Sequence, residues 1–209
     1  SNEADLIFSF TNYSSASEIV FEFIEFAGLK DHFDKDAATC IYTGIMTDTL
    51  NFSVNSSHER TFRNVAELLA FRIDKEMIYE NVYNNFSEDR LKLVGYMLHN
   101  KMKLMKEYGL SYMILTKEEM AKFNFTEGDH EGIVNMPLSI KGINASVFAM
   151  ERSDHIKVSL RSKFDIDVNK LARKFFHGGG HVNAAGGKFF ESINNAESFI
   201  IQAVKEYFN

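Results

Sequence analysis

The 209-residue sequence contains one cysteine, one proline and no tryptophan. A single cysteine, Cys40, excludes an intramolecular disulfide and a zinc site built from several thiolates, and it favours a reducing cytoplasm as the compartment. No run approaches about 18 uninterrupted apolar residues, so the sequence predicts no membrane span and no membrane partner. The chain begins with an acidic stretch instead of the basic and apolar segments of a secretory signal.

The sequence also lacks a general excess of positive charge. Its net charge of -6 argues against long duplex nucleic acid as a partner, because such binding needs many cationic phosphate contacts. The segment 152–190 differs, with eight Lys or Arg against three acids. This local positive charge suits a small polyanion, although a solvated basic face explains it equally well.

The first half of the sequence predicts helices. Capping-box patterns precede apolar residues of helical spacing at Ser15 and at Ser56, and further helices are predicted to start at Asp36 and near Asp74. Ser56 with Glu59 has the pattern of a capping box. A longer helix is predicted from Ser87 to about Tyr108, where Gly109 ends it, and it would connect two domains.

The second half alternates between strand and helix patterns. Strands are predicted at 110–115, 143–150, 155–161 and 188–190, with helices after Thr116 and Asp167 and at the end of the chain. In the third strand, apolar residues alternate with polar ones, so one face is polar. We therefore expect an α/β protein with domains at 1–86 and 109–209, joined by a connector helix at 87–108.

The strongest functional signal is the glycine-rich stretch from His177 to Gly187. Gly178, Gly179 and Gly180 remove every Cβ from a short arc, so backbone N–H groups there could approach an anion closely. His181 follows at the end of the arc, where an imidazole can donate to a phosphoryl oxygen, and Asn183 lies near it. The alternative is a flexible surface loop with an incidental histidine.

Arg161 adds a cation to this pattern. It lies at the end of the predicted strand 155–161, on the polar face, with Ser162 next to it. A guanidinium suits bidentate contact with phosphate, and strand ends are common positions for sites in α/β folds. Alone, Arg161 would more often be a surface ion-pair partner. Together with the glycine-rich stretch it favours an anion site, with the strand end and His181 at one edge.

Asp48 is the informative residue of the first half. It lies at the predicted C-terminal end of a helix, where the macrodipole disfavours a carboxylate unless a cation offsets it. The hydroxyls of Thr47 and Thr49 could orient its oxygens around a divalent metal. The alternative, which spacing alone favours, is an N-cap for the next segment. One carboxylate cannot form a metal site, and no Asp or His cluster lies nearby in the sequence.

Two motifs resemble a known family. Gly178-Gly179-Gly180-His181 with Ala184-Ala185-Gly186, preceded by Ser159-Leu160-Arg161-Ser162, closely resembles the signature of the DHH-associated domain. The segment 43–49 is similar to the last metal-binding motif of the partnering Asp-His-His (DHH) phosphoesterase domain. The resemblance implies an incomplete, mostly helical DHH α/β domain at 1–86 and a complete smaller α/β DHH-associated domain with a mixed sheet at 109–209.

The resemblance also implies a function. The family uses a divalent metal, chiefly Mn²⁺, and Asp48 would be a metal ligand and catalytic residue. The phosphate or nucleotide would be bound by Arg161, Ser162, Gly178, Gly179, Gly180, His181 and Asn183. The expected partner is a short RNA or nucleotide, hydrolysed as by nanoRNases and 3′-phosphoadenosine 5′-phosphate phosphatases, and the family is compatible with a homodimer. The alternatives are cyclic di-AMP or linear di-adenylate hydrolysis and a non-catalytic nucleotide-binding module.

The sequence departs from the family pattern at two points. Leu50 stands where the family has a glycine after its Asp-Thr pair. The family's N-terminal Asp-x-Asp and Asp-His-His motifs are absent from this sequence. We therefore expect a C-terminal fragment of a longer enzyme, which alone binds metal poorly and hydrolyses little or nothing.

Overall fold

Residues 7–8, 10 and 12–208 are described in a computed structural model of the chain. The chain divides into two units, Ser1–Asn85 and Phe86–Asn209. The predicted connector at 87–108 is therefore part of the second unit. None of the helices in the described ranges has the length and apolar character needed to cross a membrane.

The first unit is helical, as predicted. Its helices are α1 (Ala16–Phe26), α2 (Lys35–Asp48), α3 (Glu59–Ala70) and α4 (Lys75–Tyr83). Their amphipathic faces meet in a core that includes Phe21, Tyr42, Ile45, Met46 and Leu68. Burial of these apolar faces, more than intrinsic helix propensity, stabilises helices of this length.

Side-chain caps begin three of these four helices. Ser15 accepts a hydrogen bond from the backbone of Glu18 at 3.1 Å, as predicted. Helix α2 begins one residue before the predicted start at Asp36, after Asp34, which accepts a hydrogen bond from the backbone of Ala37 at 2.9 Å. The capping box predicted at Ser56 is wrong, because its hydroxyl donates to the carbonyl of Phe52 and α3 begins after His58.

The second unit is built on a six-stranded mixed sheet. The strands are β1 (Lys103–Met105), β2 (Leu110–Leu115), β3 (Ala145–Glu151), β4 (Ile156–Ser162), β5 (Gly179–His181) and β6 (Ala184–Phe189). The helices are α5 (Glu88–Tyr96), α6 (Lys117–Lys122), α7 (Val168–Phe175) and α8 (Ile193–Phe208). The spatial order is β1-β2-β3-β4-β6-β5, and only β2 and β3 are parallel. The predicted α/β class with a mixed sheet is confirmed.

Both faces of this sheet are covered, because alternate residues of a strand point to opposite faces. Val147 belongs to a core that also contains Leu171 of α7 and Ile200 of α8. Its neighbour Phe148 belongs to a second core with Leu93 of α5 and residues of the 3-10 segment Ile133–Ser139. The sheet is therefore a central layer that carries side chains in fixed directions.

The long helix predicted from Ser87 to Tyr108 is wrong. Helix α5 ends at Tyr96, a π-helical turn follows at Met97–Lys101, and β1 pairs antiparallel with β2. The apolar spacing that suggested a continued helix is also met by a turn followed by a short strand. Pairing with β2 satisfies the backbone of β1 and buries Met105.

A left-handed stretch follows α2 at the family's glycine position. Leu50, Asn51 and Phe52 have φ values of 47°, 54° and 62°. The left-handed conformation costs an L-residue with a Cβ roughly 1–2 kcal/mol, whereas glycine adopts it freely and asparagine tolerates it. Leu50 therefore adopts a backbone conformation that glycine would adopt at a lower energetic cost.

Leu50→Gly is expected to raise the free energy of unfolding by about 0.5–1 kcal/mol, since it relieves the left-handed strain at a half-exposed side chain. Asn51→Gly is the matched control and should change it less, because asparagine already tolerates the conformation. Urea unfolding followed by circular dichroism measures both. A lower stability for Leu50→Gly than for the unmodified chain would contradict this interpretation.

Candidate functional site

Strand β4 presents one apolar and one polar face, as predicted. Ile156, Val158 and Leu160 are buried in the core with α7 and α8. The alternating residues Lys157, Ser159 and Arg161 are half-buried on the other face. The packing of the apolar residues therefore fixes the direction of Arg161, the second-last residue of the strand.

Arg161 is a half-buried cation without an acidic partner in the described ranges. One guanidinium nitrogen donates to the backbone carbonyl of Leu160 at 2.9 Å, and no carboxylate there lies within salt-bridge distance. Burial lowers the pKa of Arg161, and the field of Glu131 partly opposes this. The group stays protonated, because an arginine pKa lies far above neutrality. A desolvated cation without a counter-charge is unfavourable, and a bound anion would offset that cost.

Sheet register places Arg161 and His181 in one row. Arg161 of β4 is directly opposite Ala184 of β6, which is directly opposite His181 of β5. Two strand spacings separate the outer backbones by about 10 Å. The intervening side chain is a single methyl group, so space remains between the guanidinium and the imidazole. The structure therefore brings these two candidate residues together.

The glycines do not form the open arc expected from the sequence. They lead into β5, which pairs with β6. The backbone N–H of Gly178 donates to the carbonyl of Ala172 at 3.2 Å, and that of Gly180 donates to Asn169 Oδ1 at 2.9 Å. The expectation of free amides is therefore wrong at Gly178 and Gly180, because α7 takes both donors.

Close backbone approach explains why glycine is needed in this hairpin. A Cβ on Gly178 would overlap the carbonyl oxygen of Gly186, and one on Gly180 would overlap backbone atoms of Ala184 and Ala185. Gly180 also has a φ of 153°, which L-residues rarely adopt. A Cβ on Gly179 would make only ordinary contacts with α7. Gly178 and Gly180 therefore let the hairpin close.

Ser162 and Asn183 are engaged with one another. Asn183 Nδ2 donates to Ser162 Oγ at 3.0 Å and to the carbonyl of Phe164 at 2.8 Å. Ser162 is buried, and its hydroxyl donates to the carbonyl of Ile166 at 2.6 Å. These bonds tie the turn after β4 to the β5–β6 hairpin. They hold the two strands that carry Arg161 and His181.

Asp48 is the last residue of α2 and is exposed in the first unit. The hydroxyls of Thr47 and Thr49 donate to helix carbonyls at 2.9 and 2.7 Å, so they do not orient its carboxylate. The proposed N-cap is also wrong at Asp48, because Thr49 Oγ1 accepts from the backbone of Phe52 at 3.0 Å. Within residues 7–8, 10 and 12–208, no group of three or more His, Cys, Asp or Glu could hold a metal. These residues do not fit a manganese centre.

Sequence reasoning missed a second cluster on the same sheet. A cavity of about 390 Å³ is bordered by Lys157 and Lys188 and opens beside the glycines of the hairpin. Lys157 precedes Arg161 by four residues on the polar face of β4. The alternation of β4 signalled Lys157, but its partner Lys188 is known only from the strand register.

Arg161→Met should leave the free energy of unfolding unchanged or raise it by up to about 1 kcal/mol, because it removes a desolvated charge without a counter-ion. Arg90→Met is the control. Its guanidinium donates to the carbonyls of Asp129 and Glu131 at 3.2 and 2.9 Å, so its loss should cost about 2 kcal/mol. Urea unfolding measures both. An equal loss of stability in the two variants would show that Arg161 is structural.

Comparisons with known proteins give a consistent result. The DHHA1 domain model matches residues 108–209. The bifunctional oligoribonuclease and PAP phosphatase NrnA of Bacillus subtilis is 31% identical over 89% of this chain and 58% of its own length. An exopolyphosphatase-related protein of Bacteroides fragilis, solved by crystallography, is 45% identical with a TM-score of 0.92 over 98% of this chain and 60% of its own. The chain thus spans about three fifths of these two proteins.

A more distant relative carries a different name. The cyclic-di-AMP phosphodiesterase GdpP of Geobacillus thermodenitrificans is 26% identical over 93% of this chain, which corresponds to 28% of that protein. Proteins named for different phosphate-ester substrates are therefore similar to this chain over both of its units.

Proposed function

The chain belongs to the DHH phosphoesterase family, and on this premise we propose that its second unit binds the phosphate of a short oligoribonucleotide or of 3′-phosphoadenosine 5′-phosphate. In this proposal the chain is the substrate-binding part of a metal-dependent phosphoesterase. The name of the B. subtilis relative, oligoribonuclease and PAP phosphatase, supports this substrate class.

The guanidinium of Arg161, which has no acidic partner among the described residues, is the observation that carries the proposal. Its planar fork can donate two parallel hydrogen bonds to the oxygens of one phosphate, and partial burial strengthens such bonds. His181, in the same row, supplies a second donor from β5. Ala184 between them leaves room for the phosphate. The two side chains would thus bind the phosphate from two strands of the same sheet.

Ser162, Asn183 and the hairpin glycines act through this pair. The Ser162–Asn183 hydrogen bond fixes the end of β4 relative to the hairpin, and Gly178 and Gly180 let β5 lie against β6. We assign all four a positioning role, since the bonds and close contacts described use their polar and backbone groups within the protein. Gly179 lies between them, but a Cβ there would make only ordinary contacts, so its part in phosphate binding stays a prediction.

The chain's own contribution is binding and orientation of the substrate. Manganese is the metal proposed for the whole enzyme, with Asp48 as one ligand. The hydrolytic step is not assigned to the described residues, because Asp48 lies in no cluster able to hold a metal. With Mn²⁺ present, this chain should release no phosphate from 3′-phosphoadenosine 5′-phosphate, whereas the B. subtilis relative should. Equal turnover by the two proteins would contradict this assignment.

A cyclic di-AMP or linear di-adenylate substrate is the second candidate. The similarity to the cyclic-di-AMP phosphodiesterase GdpP over 93% of this chain favours it. Cyclic di-AMP and 3′-phosphoadenosine 5′-phosphate both present a phosphate and an adenine, so the Arg161 and His181 row serves either. A competition titration of the chain with cyclic di-AMP and 3′-phosphoadenosine 5′-phosphate distinguishes the two candidates, because the ligand of the correct substrate class should bind more tightly.

Arg161→Ala should weaken binding of 3′-phosphoadenosine 5′-phosphate and AMP by about tenfold to a hundredfold, because a charge-assisted bidentate contact is worth roughly 1.5–3 kcal/mol. His181→Ala should weaken it by about tenfold. Isothermal titration calorimetry measures both.

Arg152→Ala is the matched control for this titration, because Arg152 is already paired with Glu127 by two hydrogen bonds of 2.7 and 2.8 Å. It should change affinity by less than about twofold. Unchanged binding by Arg161→Ala, or an equal loss in Arg152→Ala, would refute the proposed site.

A further inference from the structure

A second pair of cations lies in the same unit, outside the Arg161 and His181 row. Lys157 of β4 and Lys188 of β6 are directly opposite each other in the antiparallel ladder, so their side chains share one face. Neither ammonium forms a salt bridge within the described part of the chain. Like charges directly opposite one another destabilise a sheet. An anion bound between them would offset that repulsion.

The cavity beside these lysines has a glycine lining. Its volume is about 390 Å³, and Gly178, Gly186 and Gly187 contribute to its wall. Neighbouring backbone fills the space of a Cβ at Gly178 and Gly187, whereas a Cβ on Gly186 would make only an ordinary contact. Ser159 adds a hydroxyl on the face of β4 that also carries Arg161. A hydroxyl and two cations are groups that bind phosphate.

A buried histidine holds one of the lysines in place. Lys157 Nζ donates to His130 Nε2 at 3.0 Å, and the residue His130 is 5% exposed. Burial, with the charge of Lys157, lowers the pKa of His130, which favours the neutral imidazole that can accept this bond. Its Nδ1 has no hydrogen-bond partner within the described ranges, and the exposed carboxylate of Glu131 lies 3.3 Å from Nε2. Lys157 is thus positioned by a neutral group that leaves its charge available.

Aromatic rings lie beside the cavity. Phe190 is 62% exposed, and its ring centroid lies 6.3 Å from that of His155 and 5.8 Å from that of His177. Both histidines also line the cavity. His177 has a φ of 46°, a left-handed conformation that costs a non-glycine residue about 1–3 kcal/mol. An exposed ring next to a cation site is the arrangement on which nucleic-acid bases stack.

The distance along β4 between Lys157 and Arg161 bears on the length of the ligand that could contact both residues. Lys157 and Arg161 are four residues apart on one strand face, which corresponds to about 13 Å at roughly 3.3 Å per residue. Lys157 is held at its own position by the bond to His130, so we expect a phosphate at Arg161 and one at Lys157 to be different groups, whereas the two phosphates of 3′-phosphoadenosine 5′-phosphate flank a single ribose. A chain of two or three nucleotides carries phosphates that far apart.

We infer that Lys157 and Lys188 form a second phosphate subsite, with Phe190 as its base-stacking surface, which binds the next nucleotides of a short oligoribonucleotide held at Arg161. This inference rests on the proposed function and deepens it. It makes the oligoribonucleotide the substrate that uses the whole surface, whereas a mononucleotide occupies the Arg161 row alone.

Titrations of AMP and of the 5′-phosphorylated triadenylate pApApA into this chain, with EDTA present, test the inference. The double variant Lys157→Gln/Lys188→Gln should bind the triadenylate about tenfold more weakly and AMP within about twofold of the unmodified chain. The salt dependence of triadenylate binding should also become shallower, by about 0.7 in the slope of log K against log salt for each phosphate that the variant no longer neutralises.

Lys170→Gln/Lys174→Gln is the matched control, since both lysines lie on α7 and pair with Asp167 and Glu206. It should leave both ligands unaffected. The subsite variant should fold with a small net change in stability, because removal of the opposed like charges offsets the lost bond to His130. An unchanged triadenylate affinity, or an equal loss for AMP and triadenylate, would overturn the inference. Arg161→Ala with unchanged AMP binding would instead refute the proposed function, and the triadenylate titration still reports separately on the two lysines.

Discussion

The half-buried charge of Arg161 is the constraint around which the second unit is arranged. Its guanidinium is partly removed from water and has no carboxylate partner in the part of the chain that the structure describes, which is unfavourable for the folded chain alone. Burial of the alternate residues of β4, above all Leu160, in the core with α7 and α8 offsets this cost in free energy. The packing of the core thus fixes the direction of the Arg161 side chain. Because no carboxylate among the described residues pairs with it, its guanidinium is available to an anion.

The hairpin beyond β4 depends on the same arrangement. Gly178 and Gly180 allow β5 to lie against β6, and α7 takes their amides through Ala172 and Asn169. The Ser162–Asn183 hydrogen bond links the β5–β6 turn to the end of β4. These contacts rigidify the row, so in the proposed function Arg161 and His181 bind the phosphate while the surrounding residues hold them in position.

Local patterns in the sequence predicted the parts of the structure that depend on local physics. The alternation of 155–161 predicted the polar face of β4, and capping residues such as Ser15, Thr116 and Asp167 marked helix starts that the structure confirms. The glycine-rich stretch and Arg161 also predict a site in this region, and this stays a prediction. Periods of two and of 3.6 residues are visible in any short window, which explains why these features could be read.

Features that depend on pairing between distant residues could not be read. The strand β1 replaced a predicted helix because β2 supplies its partner, and the glycine amides were taken by α7, which precedes them in sequence. The opposition of Lys157 and Lys188 follows from register between strands, which composition does not reveal. The leucine at position 50 gives no sign of its left-handed backbone, and only the glycine that the family has there suggests it. Register and long-range packing are tertiary properties, and they decided the details of the site.

A crystal structure of this chain with bound AMP tests the central claim most directly. We predict the phosphate between Arg161 and His181, with two guanidinium nitrogens at about 2.7–2.9 Å from its oxygens. The Ser162–Asn183 bond should be unchanged. A phosphate bound elsewhere, with Arg161 still donating only to the carbonyl of Leu160, would contradict this prediction.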